Sequence, residues 1–317
     1  MKAAALVLAA IAWSLAAAQD YPSKPIRLIV GFPPGGNVDV VGRIVAQKLG
    51  EGLSQQVLPE NRTGAGSMIA NEYVAKAAPD GYTLLIVSGA FVTQAATTKK
   101  LPYDPLRDFA MVSRIATAPN ALIVHPSMPM KSVAELVAYA KAHPGEVSYG
   151  SPGVGSSPHL SMELFKSIAK INVVHIAYKG AMPALADLTG GQIPVMLANL
   201  PALLPHIQSG RIRALAVTAA KRTPQLPAVP TMIESGVRDY VVTAWYGMCA
   251  PAATPQPILE KLHADLTKTL QAPELQQRLN DLVIEVAPTT REEFAAFIRS
   301  EMTRWARVVK EAGIPQQ

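Results

Sequence analysis

Two short loops hold the residue types from which chemistry can be read. Gly31-Phe-Pro-Pro-Gly-Gly-Asn37 and Gly150-Ser-Pro-Gly-Val-Gly-Ser-Ser157 each leave a stretch that reads as a strand and enter one that reads as a helix. A helix start has unpaired N–H groups and a partial positive charge, so it attracts anions. In an open α/β sheet, ligands bind beyond the carboxyl ends of the strands, where such loops sit. Glycine lets the backbone approach a ligand closely, and proline stiffens the loop without donating a hydrogen bond. Neither loop contains Lys or Arg. The chemistry this suits is a carboxylate held by neutral donors: peptide amides together with the side chains of Asn37, Ser151, Ser156 and Ser157.

Other residues are ambivalent. His159 reads as a capping or packing histidine, or as a direct ligand contact. Ser88-Gly89 ends a further strand and can donate to the same site. Trp245 and Tyr246 read as core or as ligand wall. No G-x-x-x-x-G-K-[ST] loop is present, and neither loop is a G-x-G-x-x-G followed at a convincing distance by an acidic ribose ligand. Ser156 or Ser157 near His159 leaves an exported hydrolase open, although G-x-S-x-G is missing. The six histidines show no metal-binding spacing, and a single cysteine, Cys249, excludes an internal disulfide and a zinc site built on several cysteines.

The elements that must position these groups alternate. Ile26 to Gly31 reads as a buried strand, and Val40, Val41, Ile44, Val45 and Leu49 then repeat at helical spacing. Asp39 lies in that helix's first turn, where a negative charge complements the dipole. Strands are read at Tyr82–Val87, Met111–Ala118, Ala121–Val124, Val147–Gly150, Val173–Ala177, Ile193–Leu197 and Arg211–Thr218, with an extended run at Val241–Ala250. Ser132-x-x-Glu135 and Thr290-x-x-Glu293 are capping boxes. Ser157 reads as an N-cap with Pro158 at the first helical position. Helices are also read at Ala181–Leu188, at Leu200–Gln208 and along Ile258, Leu262, Leu266 and Leu270. This alternation implies α/β layers with helices over mostly parallel sheets.

Composition sets the frame. The chain has 317 residues, 49% of them hydrophobic and 16% charged, which fits about two domains and excludes a disordered chain. The net charge is +6, but the basic residues are scattered, with Lys99-Lys100 and Lys221-Arg222 the only adjacent pairs; a nucleic-acid binder concentrates them on one stripe. Residues 1–18 have a positive start, a short apolar run and Ala16-Ala17-Ala18. This is the layout of a secretory signal peptide, cleaved before Gln19, whose apolar run falls short of the roughly 20 residues of a membrane span. The expected product is soluble and exported, as in a bacterial periplasm.

In combination these motifs become recognisable. The stretches YPSKPIRLIVGFPPGGNVDVVGR (Tyr21 to Arg43), ENRTGAG (Glu60 to Gly66), APDGYTLL (Ala78 to Leu85), LPYDPLRDF (Leu101 to Phe109), SSPHL (Ser156 to Leu160), AYKGAMPAL (Ala177 to Leu185), NLPALLPHI (Asn199 to Ile207) and RALAVTAAKR (Arg213 to Arg222) occur in order. The chain resembles the Bug family of periplasmic solute-binding proteins, receptors of tripartite tricarboxylate transporters. The resemblance implies an α/β type II periplasmic-binding-protein fold: two lobes joined by two crossing strands, with the ligand cleft between them. Residues 19–119 and 241–317 would form the first lobe and residues 120–240 the second.

By the same resemblance, a small carboxylate would be held between two facing loops. One presents Phe32, Pro34, Gly35, Gly36, Asn37 and Asp39. The other presents Ser151, Gly153, Val154, Gly155, Ser156, Ser157 and His159. Ser88, Gly89, Tyr178, Ala198, Asn199 and Trp245 would complete the ligand-binding set. The implied protein is a monomer that works with membrane permease subunits, is not an enzyme, and uses no cofactor or metal. Asn37-Val38 stand where many members have Gly and Thr or Ser, and Ala198 stands where many have an acid. Loss of that acid disfavours an amino-acid ligand and favours a plain or aromatic carboxylate. The same fold also serves sensors that dock on signalling kinases, and the binding site would look alike in both roles.

Overall fold

The computed structural model describes residues 21–316; the expected export segment lies outside the described residues. In the first lobe, β1 (Ile26–Val30) pairs in parallel with β2 (Val57–Asn61) and β3 (Thr83–Ser88). Two long strands pass between the lobes: β4 (Phe109–Val124) and β9 (Thr243–Pro251), antiparallel to each other. In the second lobe, β5 (Ser148–Ser151) pairs in parallel with β6 (Val174–Ala177) and β7 (Val195–Asn199), while β7 and β8 (Arg213–Val217) both pair antiparallel with β4. A short β10 (Glu285–Val286) returns to β4. The sheets are therefore mixed rather than mostly parallel. The reason is topological: each lobe is built from parallel β-α-β units, but the crossing strands run against them.

The first-lobe helices are α1 (Asn37–Leu53), α2 (Met68–Ala75) and α3 (Gly89–Thr97). The second lobe holds α4 (Val133–Ala142), α5 (Ser157–Ala169), α6 (Ala181–Thr189) and α7 (Leu200–Gln208). The chain then returns to α8 (Gln256–Leu270), α9 (Pro273–Asn280) and α10 (Arg291–Glu311). Two helices away from the cleft close their own starts. Thr290 and Glu293 form the full capping box of α10, and the Ser132 hydroxyl accepts from Glu135 N–H at 3.2 Å. The Glu135 carboxylate reaches Lys131 N–H instead of the cap residue.

Pro119 and Asn120 do not break β4, which the sequence divides in two. Pro119 still pairs with Thr243, and the next residue, Asn120, pairs with Asn199, so the strand changes partner here without ending. Thr218 ties the crossover together. Its N–H donates to Asn120 O (2.9 Å), its hydroxyl accepts from Asn120 N–H (3.0 Å) and donates to Val242 O (2.5 Å), and Val242 N–H donates back to Thr218 O (3.0 Å). The core is also shared across the lobes. Leu160, Leu164 and Phe165 of α5 belong to one apolar cluster with Phe91 and Val92 of α3 and Trp305 and Val308 of α10.

Close approach governs one position of this core. A Cβ on Gly247 of β9 would overlap the Phe294 ring of α10, which is itself wedged against Trp245 and Phe297. Gly247→Ala is expected to destabilise the fold by about 1–3 kcal/mol through overpacking, read as a lower urea midpoint with an unchanged slope.

Candidate functional site

The first loop is braced from inside. Asp39, 2% exposed, accepts from Gly35 N–H (2.9 Å) and from Arg43 Nε (2.9 Å) through one oxygen, and from Asn61 Nδ2 (2.7 Å) through the other. Asn61 also donates to Phe32 O (2.9 Å) and accepts from Arg43 (2.8 Å). Burial works to raise the Asp39 pKa, but the hydrogen bonds from Arg43, Asn61 and Gly35 outweigh it and hold the carboxyl below its usual range. Arg43 is neutralised by this pairing, so the loop gains no uncompensated cation. Asp39 and Gly35 N–H are thus engaged within the loop and do not face outward as free groups. The first intrahelical bond of α1 runs from Val40 N–H to Gly36 O (2.9 Å), and Gly36 offers no side-chain cap. The amides of Asn37, Val38 and Asp39 are left for an outside partner.

The second loop rests on a stack of rings. His159 is 3% exposed and its Nδ1 accepts from Gly155 N–H at 3.0 Å. Its ring stacks on His175 at 3.9 Å, and His175 stacks on Tyr149 at 4.9 Å. His175 Nε2 shares a 2.6 Å hydrogen bond with the Ser151 hydroxyl, which also accepts from Gly153 N–H at 3.2 Å. Below the stack, Glu163 accepts from Tyr149 (2.5 Å) and Lys166 (2.7 Å) and lies 3.9 Å from His159 Nε2. The His159 acceptor role fixes the proton on Nε2. Burial, with His175 alongside, pushes this histidine down from 6.5 to about 4, while Glu163 opposes. Gly155 takes a φ of +75°, and an added Cβ would stand 3.0 Å from Thr97 of α3, a position that favours glycine.

The α5 cap is one residue earlier than the sequence pattern implies. The Ser156 hydroxyl accepts from His159 N–H (3.4 Å) and donates to Gly153 O (2.7 Å), so Ser157 is the first helical residue and Pro158 the second. With Pro158 lacking an N–H, the start of α5 offers the Ser157 amide and hydroxyl. Ser156, Ser151 and the Gly153 and Gly155 amides are engaged within the loop. Neither Ser156 nor Ser157 hydrogen-bonds the His159 ring among the described residues. The pairing a serine nucleophile needs is not formed there.

The remaining candidates divide. Ser88 caps α3 and Asn199 caps α7, yet neither side chain bonds its own helix, although both are strong capping types. Gly89 lies against Ser157, with Ser157 Oγ 3.2 Å from where a Cβ would stand, so the starts of α3 and α5 meet across the lobes. Ala198 is buried opposite Ala121, and the Tyr178 hydroxyl donates to Asp187 at 2.7 Å. Pro34 and Val154 are exposed, and Phe32 is half-buried. Trp245 sits in the core, edge-on to Phe294 and Phe297. Sequence reasoning missed Asn61, Arg43, His175 and Glu163. Asn61 and Arg43 carried a signal, as parts of the ENRTGAG stretch and of the stretch from Tyr21 to Arg43. A separate groove of about 450 Å³ lies between the carboxyl ends of α3 and α10, lined by Ala95, Ala306, Lys310 and Gln316. Two helix carboxyl ends make it a poor place for an anion.

Two outcomes test these braces. Asp39→Ala should lower stability by about 1–3 kcal/mol, since Gly35 N–H, Asn61 and Arg43 lose a charged acceptor at once; urea unfolding measures it. A histidine kept neutral when folded binds fewer protons than when unfolded, so stability falls with pH between 6.5 and about 4 and the loss then levels off. Melting temperatures across that window should drop less steeply for His159→Gln than for the unaltered protein.

Comparison with known proteins agrees with this geometry. The family model described as "Tripartite tricarboxylate transporter family receptor" matches residues 41–314. BugT of Bordetella pertussis is 38% identical over 298 residues, covering 93% of this chain and 91% of BugT. Among solved structures, R. palustris Rpa4515 with adipate superposes with a TM-score of 0.85 at 37% identity, covering 93% of this chain and 99% of that one. MatC from Rhodopseudomonas palustris with bound malate gives 0.79 at 31% identity, covering 91% and 100%. With two lobes, crossing strands and opposed helix starts, the chain belongs to the tripartite tricarboxylate transporter receptor family.

Proposed function

We propose that this protein is a periplasmic receptor that captures a small carboxylate between its lobes and presents it to the membrane subunits of a tripartite transporter. The observation that carries this reading is the set of unpaired donors where β1, β3, β5 and β7 end: three amides at α1, the Ser157 amide and hydroxyl at α5, and the unused caps Ser88 and Asn199. Neither glycine loop contains Lys or Arg, so the grip of these donors is one of dipoles. Capture makes and breaks no bond, and none of these residues is given a catalytic role. Relatives solved with adipate and with malate support acids bearing two carboxylates as the first ligands to try.

The proposed lobes are residues 19–119 with 241–317, and residues 120–240, hinged where β4 changes partner and where Val242 follows the second lobe. The change of pairing between Pro119 and Asn120 supports this division. The chain is proposed to act as a monomer after loss of its export segment. A ligand closes such a hinge only if it binds the closed form better than the open one.

Thermal shift of refolded, ligand-stripped protein against mono-, di- and tricarboxylates and amino acids tests the reading. Acids should raise the melting temperature by mass action and amino acids should not. Gly36→Asp should abolish the shift while the protein stays folded. The φ of Gly36 is −74° and nothing lies nearer than 3.5 Å to an added Cβ, so the new carboxylate is tolerated but repels the anion. A Gly36→Asp protein that keeps its acid-induced shift would reject the site.

A further inference from the structure

Trp245 and Tyr246 are neighbours on β9 and point to opposite faces, as strand geometry requires. Trp245 enters the core beneath α10, while the Tyr246 ring joins the apolar cluster beneath α1 with Val41 and Met248. Tyr246 is 1% exposed, yet its hydroxyl is buried with no hydrogen-bond partner among the described residues. The Asn37 side chain lies beside it. A buried hydroxyl left unpaired is costly, and phenylalanine would fill the same space without that cost.

The surroundings say what the hydroxyl is placed to do. Asn37 is the first residue of α1, whose opening amides are unpaired. Ser88, the ladder partner of Tyr246, caps α3 without bonding it, and the next residue, Gly89, touches Ser157 of α5. The phenol therefore stands where the starts of three helices gather. We infer that Tyr246 is a ligand-contacting, specificity-determining residue: its O–H donates from the first lobe to one oxygen of the bound carboxylate, beside the Asn37 side chain. The inference rests on the carboxylate-receptor reading and adds to it a side-chain contact at the floor of the cleft. Burial pushes the phenol pKa up, so the group remains a neutral donor at any pH the protein works in. A neutral O–H donor at this position suits an oxyanion.

The test compares Tyr246→Phe with the unaltered protein, first ligand-free by thermal melting, then by calorimetric titration with adipate and with malate. Tyr246→Phe should melt at or above the unaltered protein when ligand-free, because an unpaired hydroxyl has been removed. Its affinity for the acid that binds should fall roughly 10- to 100-fold, the range of a charge-assisted hydrogen bond. A lower ligand-free melt would mean that the hydroxyl is bonded within the protein, and would overturn the inference. So would an affinity equal to that of the unaltered protein. If no acid of the mono-, di- and tricarboxylate panel binds the unaltered protein, the carboxylate reading falls and this inference with it. If the unaltered protein binds and Tyr246→Phe binds equally well, only this inference falls.

Discussion

The structure depends on peptide N–H groups left unpaired at helix starts. Elsewhere the chain closes such groups with its own side chains, as Ser132 does for α4 and Thr290 for α10. At α3 and α7 it places good capping residues, Ser88 and Asn199, and leaves their side chains off the helix. At α1 the cap is a glycine with no side chain to offer. Dipoles fixed in a cleft can hold an anion without bringing a buried cation, whose removal from water carries a heavy penalty. The strands exist, in this sense, to aim those helix starts at one another.

Holding them aimed uses donors that would otherwise be free. Gly35 N–H goes to Asp39 and Gly36 N–H to Pro33 O, while Gly153 N–H goes to Ser151 and Gly155 N–H to His159, so each loop gives up glycine amides to its own stiffness. In the first loop the brace is ionic and reaches β2 through Asn61. In the second it is a neutral ring stack resting on Glu163. The two devices respond differently to acid: the first persists until Asp39 is protonated, while the second weakens as soon as a charge on His159 competes with the Gly155 bond.

Much of this was legible in local pattern. The glycine loops, the Thr290 box and the stripes of α1 and α8 follow from spacing that the chain itself displays. What could not be read involves residues far apart in sequence. The Asp39–Asn61 bond joins α1 to the end of β2, His159 meets His175 only after β5 and β6 pair, and the continuity of β4 through Pro119 depends on Thr243. The helices α2 and α3 are short and carry many apolar residues, so no polar face marks their period. Tyr246 and Trp245 look equivalent as letters. Only the pleat, with α1 on one side and α10 on the other, separates a phenol at the cleft from an indole in the core.

The apolar cluster that bridges α5 to α3 and α10 has a mechanical consequence. Prising the lobes apart on that side would wet Leu160, Phe165, Phe91 and Trp305, all nearly inaccessible, at about 1.5–3 kcal/mol for each large side chain. Within the second lobe, Tyr240 donates to Ser161 O at 2.8 Å and meets the Phe165 ring edge-on, which holds the α5 side of that seam in place. On the other flank, α6 and α7 pack on second-lobe strands and β4 and make no comparable contact with first-lobe helices among the described residues. The clamp is lopsided: apolar side chains seal the edge at α3, α5 and α10, and no comparable cluster joins α6 and α7 to first-lobe helices among the described residues.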